Sequence, residues 1–129
     1  MLKFTYTETD VQLERLTLSP EKLVARRVTL AMRVGQCLCV EPSQASFLLP
    51  RHLSEVAQLE AVVRALGSEI VSLCVADAEF LEVSVQGTWV AADLNTADGM
   101  FVTALSSACE QLIFQLWQEA RVDASCLQD

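Results

Sequence analysis

Between Arg64 and Arg121 this chain has no positively charged side chain. Residues 1–64 carry eight Lys/Arg against seven Asp/Glu, whereas residues 65–129 carry one against ten. The net charge of −8 is thus gathered in the second half. Such a field favours a basic protein partner and opposes nucleic acid, whose phosphates need a basic footprint. Glycine is scarce as well. Gly35, Gly67, Gly87 and Gly99 are each isolated, so no phosphate-cradling loop can form, and dinucleotide and P-loop functions are excluded. His52 is the only histidine and no CxxC occurs. Cys37 and Cys39 on a strand would point their thiols to opposite faces, which leaves zinc without a ligand set. There is no GxSxG. No catalytic residue, metal or cofactor is therefore expected.

Long apolar runs are missing too. The longest stretch without charge, Gly99–Cys109, has eleven residues, and a spanning helix needs about 20. The first residues alternate like a strand and contain no signal-peptide core. A cytoplasmic protein with no membrane partner is expected. The five cysteines are odd in number. Cys37, Cys39, Cys74 and Cys109 lie in apolar runs and read as small buried hydrophobes with free thiols, and Cys126 as a tail residue.

What the chain has in plenty is apolar surface. Hydrophobic residues make up 52% of its 129 positions and the mean hydropathy is +0.34. One small core cannot hide all of it, which points to an interface and a homo-oligomer, most simply a dimer.

Periodicity gives the elements. Leu2–Thr7 and Val11–Leu18 alternate as strands around the turn Thr7-Glu8-Thr9-Asp10. Ser19-Pro20-Glu21 starts a helix that runs to about Val34 and stops at Gly35. Short strands follow at Cys37–Glu41, closed by Pro42, and Ser46–Leu49, closed by Pro50. A second helix is expected over Arg51–Leu66 with Gly67 behind it, then a strand over Glu69–Ala76, with a parallel crossover across 46–76. Leu81, Val83, Val85, Trp89 and Ala91 keep one phase through Gly87, so a single strand over Glu79–Ala92 is preferred to a hairpin at Gln86-Gly87. Asp93–Gly99 is a loop and Met100–Leu105 a returning strand. Ser107 to Glu110 spells a capping box for a last helix, with Cys109, Leu112, Ile113, Leu116, Trp117 and Ala120 on its apolar face and a frayed tail over Asp123–Asp129. The fold class is α+β: one domain over 1–129, a mostly antiparallel sheet of six or seven strands with three helices on one face.

Lys22, Arg26, Thr29 and Arg33 form a stripe on the first helix, flanked by Arg27. It is either the solvated face of an amphipathic helix or a ridge for an anionic ligand or an acidic surface. Arg51 and His52, placed at the start of the second helix, could hold a small anion there. Arg26, Arg33, Arg51 and His52 are accordingly the candidate ligand-binding residues, for a pocket between sheet and helices. Asp77, Glu79 and Glu82 read as solubilising charges at a strand start. Asp93–Gly99 fails as a calcium loop, because the required glycine and the closing glutamate are absent. Trp117 reads as core, and Trp89 as a candidate interface anchor.

Val83-Ser84-Val85-Gln86-Gly87-Thr88-Trp89, Phe101-Val102-Thr103 and Leu116-Trp117-Gln118-Glu119, with Val40-Glu41-Pro42-Ser43 and Phe47-Leu48-Leu49-Pro50, resemble a group of short cyanobacterial proteins with no assigned activity. The resemblance implies a soluble cytosolic protein of a photosynthetic bacterium, and it transfers no catalytic residue. Together these readings favour a non-enzymatic, homodimeric binding, assembly or regulatory protein with an acidic interaction surface. The alternative is a small-molecule binding protein or enzyme for an anionic ligand.

Overall fold

A computed structural model describes residues 1–67, 70–93 and 97–127, with side chains as far as Arg121. It contains three helices and a six-stranded sheet, an α+β fold as expected. The elements are β1 (Leu2–Tyr6), β2 (Val11–Arg15), α1 (Pro20–Arg33), β3 (Cys39–Pro50), α2 (Val56–Leu66), β4 (Val71–Val75), β5 (Phe80–Ala91), β6 (Gly99–Thr103) and α3 (Ser107–Leu127). The strand order is β2-β1-β6-β5-β3, and β4 pairs with β5 off this path. The chain divides into two compact units, residues 1–44 with 86–104 and residues 45–85 with 105–129.

In the first unit, β1 and β2 form the expected hairpin. Thr7 N–H donates to the Asp10 carbonyl (2.9 Å) and Asp10 Oδ1 accepts from Val11 N–H (2.8 Å). The other edge of β1 pairs with β6, Phe4 opposite Phe101 and Thr5 opposite Met100. Phe4 and Phe101 meet edge to face at 5.8 Å and are both buried. The alternate residues Val90, Met100 and Val102, with Met1, form a second small core, on which Leu16, Leu23, Val24 and Leu38 pack. Leu23 and Val24 bring α1 to this core. Ser19 Oγ accepts from Lys22 N–H at the helix start, and Gly35, at φ 77°, ends it in a conformation that disfavours other residues.

In the second unit, β4 pairs antiparallel with β5, Leu73 opposite Val83. Val83, Val85, Leu49, Leu59, Ile113 and Leu116 are fully buried there. Helices α2 and α3 pack on each other, with Gln115 Nε2 donating to Glu55 Oε1. Phe47 and Trp117 meet edge to face at 5.3 Å.

Several boundaries differ from the sequence-based expectation. The two short strands at 37–49 are one twelve-residue strand, β3, which runs straight through Pro42. Because β3 ends the strand path, a missing N–H can face away from the ladder. Helix α2 begins at Val56 rather than Arg51, and residues 51–55 are turns. Ser46 Oγ lies 2.9 Å from Ser84 Oγ and Arg51 N–H donates to the Glu79 carbonyl (2.8 Å), the same antiparallel register. β3 and β4 therefore share a direction, as the crossover requires, but both pair with β5. Helix α3 continues to Leu127, through most of the expected tail; residues 128–129, Glu69 at the start of the fifth expected strand and positions 94–96 of the Asp93–Gly99 loop lie outside the described residues. Of the four cysteines expected to be buried, only Cys109 is; Cys37 and Cys74 are exposed and Cys39 is intermediate. The apolar runs around 37 and 74 lie beside a loop and along an open strand face, so hydrophobic neighbours in sequence did not mean burial.

Candidate functional site

Arg26 and Arg33 stand exposed on α1, in the first unit, and Arg51 and His52 are exposed in the turns of the second. Because α2 starts only at Val56, neither Arg51 nor His52 sits on its N-terminus. Arg51 is instead tied to the β4–β5 connection: its N–H donates to the Glu79 carbonyl (2.8 Å) and Nη1 donates to the Asp77 carbonyl (3.4 Å). Asp77 Oδ1 in turn accepts from the N–H groups of Glu79 (2.7 Å) and Phe80 (2.8 Å). The result is a braced tip, Val75–Glu79, whose residues are all exposed and which carries two carboxylates beside apolar side chains.

Trp89 is half-buried within the first unit. Its ring lies over Gly99, where an added Cβ would come 2.8 Å from Trp89 Cη2, and it meets Tyr6 edge to face at 5.5 Å. Burial pushes the Tyr6 hydroxyl above its usual range. In the second unit the Cys109 thiol is also pushed up, first by burial and then by the neighbouring Glu110, which keeps it protonated and a poor nucleophile. Among the described residues no three or more His, Cys, Asp or Glu side chains converge as a metal site.

Two features of the first unit stand out. One is the outward side of α1. Leu30 is 57% and Val34 72% exposed. Leu30 borders the exposed basic stripe, four residues after Arg26 and three before Arg33, and Val34 follows one turn on, further round the helix toward the side of Leu23. The helix thus offers water a strip of cations with two large exposed apolar side chains along one flank.

The other is a pocket of about 290 Å³ lined by Lys3, Thr5, Arg27, Leu38, Val90, Ala91, Ala92, Asp98, Gly99 and Met100. The strand register explains its floor. Thr5 pairs with Met100 and Met100 with Val90, one row across β1, β6 and β5; Lys3 lies opposite Val102 in the next row. Lys3 and Thr5 have the polar phase of β1, which a sequence reading assigns to solvent. Arg27 flanks the basic stripe and gave no separate signal. None of Arg26, Arg33, Arg51 and His52 lines this pocket.

A protein-family model described as Alr0857-like matches residues 1–121. No curated protein and no solved structure matches the chain.

Proposed function

The chain belongs to the Alr0857-like family, a description that carries no activity, and on that premise we propose a non-enzymatic cytosolic binding or assembly protein that acts as a homodimer through acidic and basic surfaces. The observation that carries this reading is the exposure of Leu30 and Val34 along the flank of the exposed cations Lys22, Arg26 and Arg33. A large apolar side chain held in water gains about 1.5–3 kcal/mol when it is covered. Cations around it select an acidic cover.

The composition of the second unit supports such a cover. It holds three Lys/Arg against ten Asp/Glu, whereas the first holds six against seven. The Val75–Glu79 tip combines Val75, 56% exposed, with the carboxylates of Asp77 and Glu79. Docking of this tip from one copy on the α1 strip of another pairs apolar with apolar and acid with base. An unrelated basic protein could take the same acidic surface, but the strip is present on this chain itself.

Analytical ultracentrifugation at two salt concentrations tests the reading. A dimer at low ionic strength is expected, weakened about tenfold or more in high salt as the charges are screened. Leu30→Glu and Arg33→Glu should each yield monomer with an unchanged circular-dichroism spectrum, and mixing Arg33→Glu with Glu79→Arg should restore pairing. A protein that stays monomeric at low salt, or a dimer indifferent to both substitutions, overturns the proposal.

A further inference from the structure

The pocket beneath α1 involves different side chains from the outward strip, and its chemistry points to a ligand. Thr5 Oγ1 is buried and has no hydrogen-bond partner among the described residues. A buried hydroxyl left unpaired is costly, and native proteins usually satisfy it. The neighbouring polar groups are cations: the Lys3 side chain, only 13% exposed, and the Arg27 guanidinium. Lys3 Nζ lies 3.8 Å from Glu14 Oε1, a carboxylate half in water, which makes a long and screened contact. Leu38, Val90, Ala91 and Met100 supply an apolar floor. Asp98 adds one carboxylate to the lining.

We propose that this pocket binds a small amphipathic monocarboxylate. Its carboxylate accepts from Lys3 Nζ, the Arg27 guanidinium and the Thr5 hydroxyl, and its apolar end lies on Leu38, Val90 and Met100. Arg27 provides the planar fork that a carboxylate fits, and Lys3 a second charge. Asp98 repels a second negative charge, so a monoanion is preferred to a dianion such as phosphate. A few convergent polar groups over an apolar floor is the usual composition of a small-molecule site. The site does not depend on dimer formation, because every lining residue belongs to one unit of one chain.

The test is a titration of the intact protein with hexanoate, followed by amide chemical shifts, with hexanamide and inorganic phosphate as comparison probes. Hexanoate should perturb the amides of Lys3, Thr5, Val90 and Met100 with a dissociation constant of about 1 mM, a reasonable value for so few atoms. Hexanamide and phosphate should bind about tenfold more weakly or not at all, since each fails one half of the site. Arg27→Gln, on an exposed helix surface, should weaken hexanoate by about tenfold and leave the thermal midpoint unchanged. Thr5→Val should weaken it several-fold while holding or raising the thermal midpoint, because it removes an unpaired hydroxyl at constant shape. Equal binding of hexanoate and hexanamide, perturbations elsewhere in the chain, or no response overturns the assignment. A Thr5→Val protein that binds normally overturns the role of the hydroxyl.

Discussion

At Gly87 the backbone of β5 approaches β6 so closely that a side chain has no room. A Cβ built there would meet the Val102 carbonyl oxygen and lie 2.7 Å from Phe101 Cζ. The neighbouring Thr103 hydroxyl donates to the Gln86 carbonyl (2.8 Å), which holds the strands at this separation. Gly87→Ala should therefore destabilise the protein by about 2 kcal/mol, since the clash is with backbone and a buried ring rather than a movable side-chain end. Urea unfolding monitored by circular dichroism would read this as a lower midpoint with an unchanged slope. The alternation of Leu81, Val83, Val85 and Trp89 through Gly87 already argued for one strand, with Gly87 as a bulge or a close approach; which of the two it is was not visible, because the partner strand is fifteen residues away in sequence.

At the scale of elements, helix starts show how local signals can be nearly right. Ser19 caps α1 as read. For α3 the cap is displaced by one residue: Ser106 Oγ accepts from Cys109 N–H (3.3 Å), and the buried Glu110 reaches back to Leu105 N–H (2.9 Å). Adjacent serines make the box ambiguous in sequence, and packing of Cys109 and Ile113 into the core sets the phase. Ser106→Ala should cost about 1 kcal/mol of stability, as loss of a capping oxygen generally does. Ser107→Ala, at an exposed first helical position, should cost clearly less. Comparing thermal midpoints of the two variants would check this. For α2 the apolar period of Val56 and Leu59 was legible, but its first turn was not; Arg51 bonds the β4–β5 tip instead of entering the helix.

For the whole molecule, the uneven charge of the sequence carries over into the composition of the two units, although the sequence halves are shared between them. Asp93 and Asp98 join the first unit and Arg51 and Arg64 the second, yet the second still has ten acids against three bases. Self-repulsion of this kind is relieved by salt. Raising ionic strength from a few millimolar to about 0.2 M should lift the thermal midpoint of the Leu30→Glu protein, a monomer under the proposed assembly, by about 3 °C, equivalent to roughly 0.5–1 kcal/mol. In the wild type the same change should weaken the proposed association. The opposite signs separate folding electrostatics from assembly electrostatics. No helix among the described residues is long and apolar enough to cross a membrane.

Sequence alone determined what is local or summed: the α+β class, the β1–β2 hairpin, the cap and stop of α1, the unbroken β5, the missing phosphate loop and the uneven charge. Each follows from side-chain period, turn chemistry or composition, none of which needs a distant partner. Tertiary structure alone decided which polar residues converge. Lys3 and Thr5 carry the solvent phase of a strand, and only the placement of α1 over that face, through Leu23 and Val24, turns them and Arg27 toward one pocket. It also decided that Leu30 and Val34 remain in water although they share a helical stripe with the packed Leu23, because only the first turns of that stripe are covered.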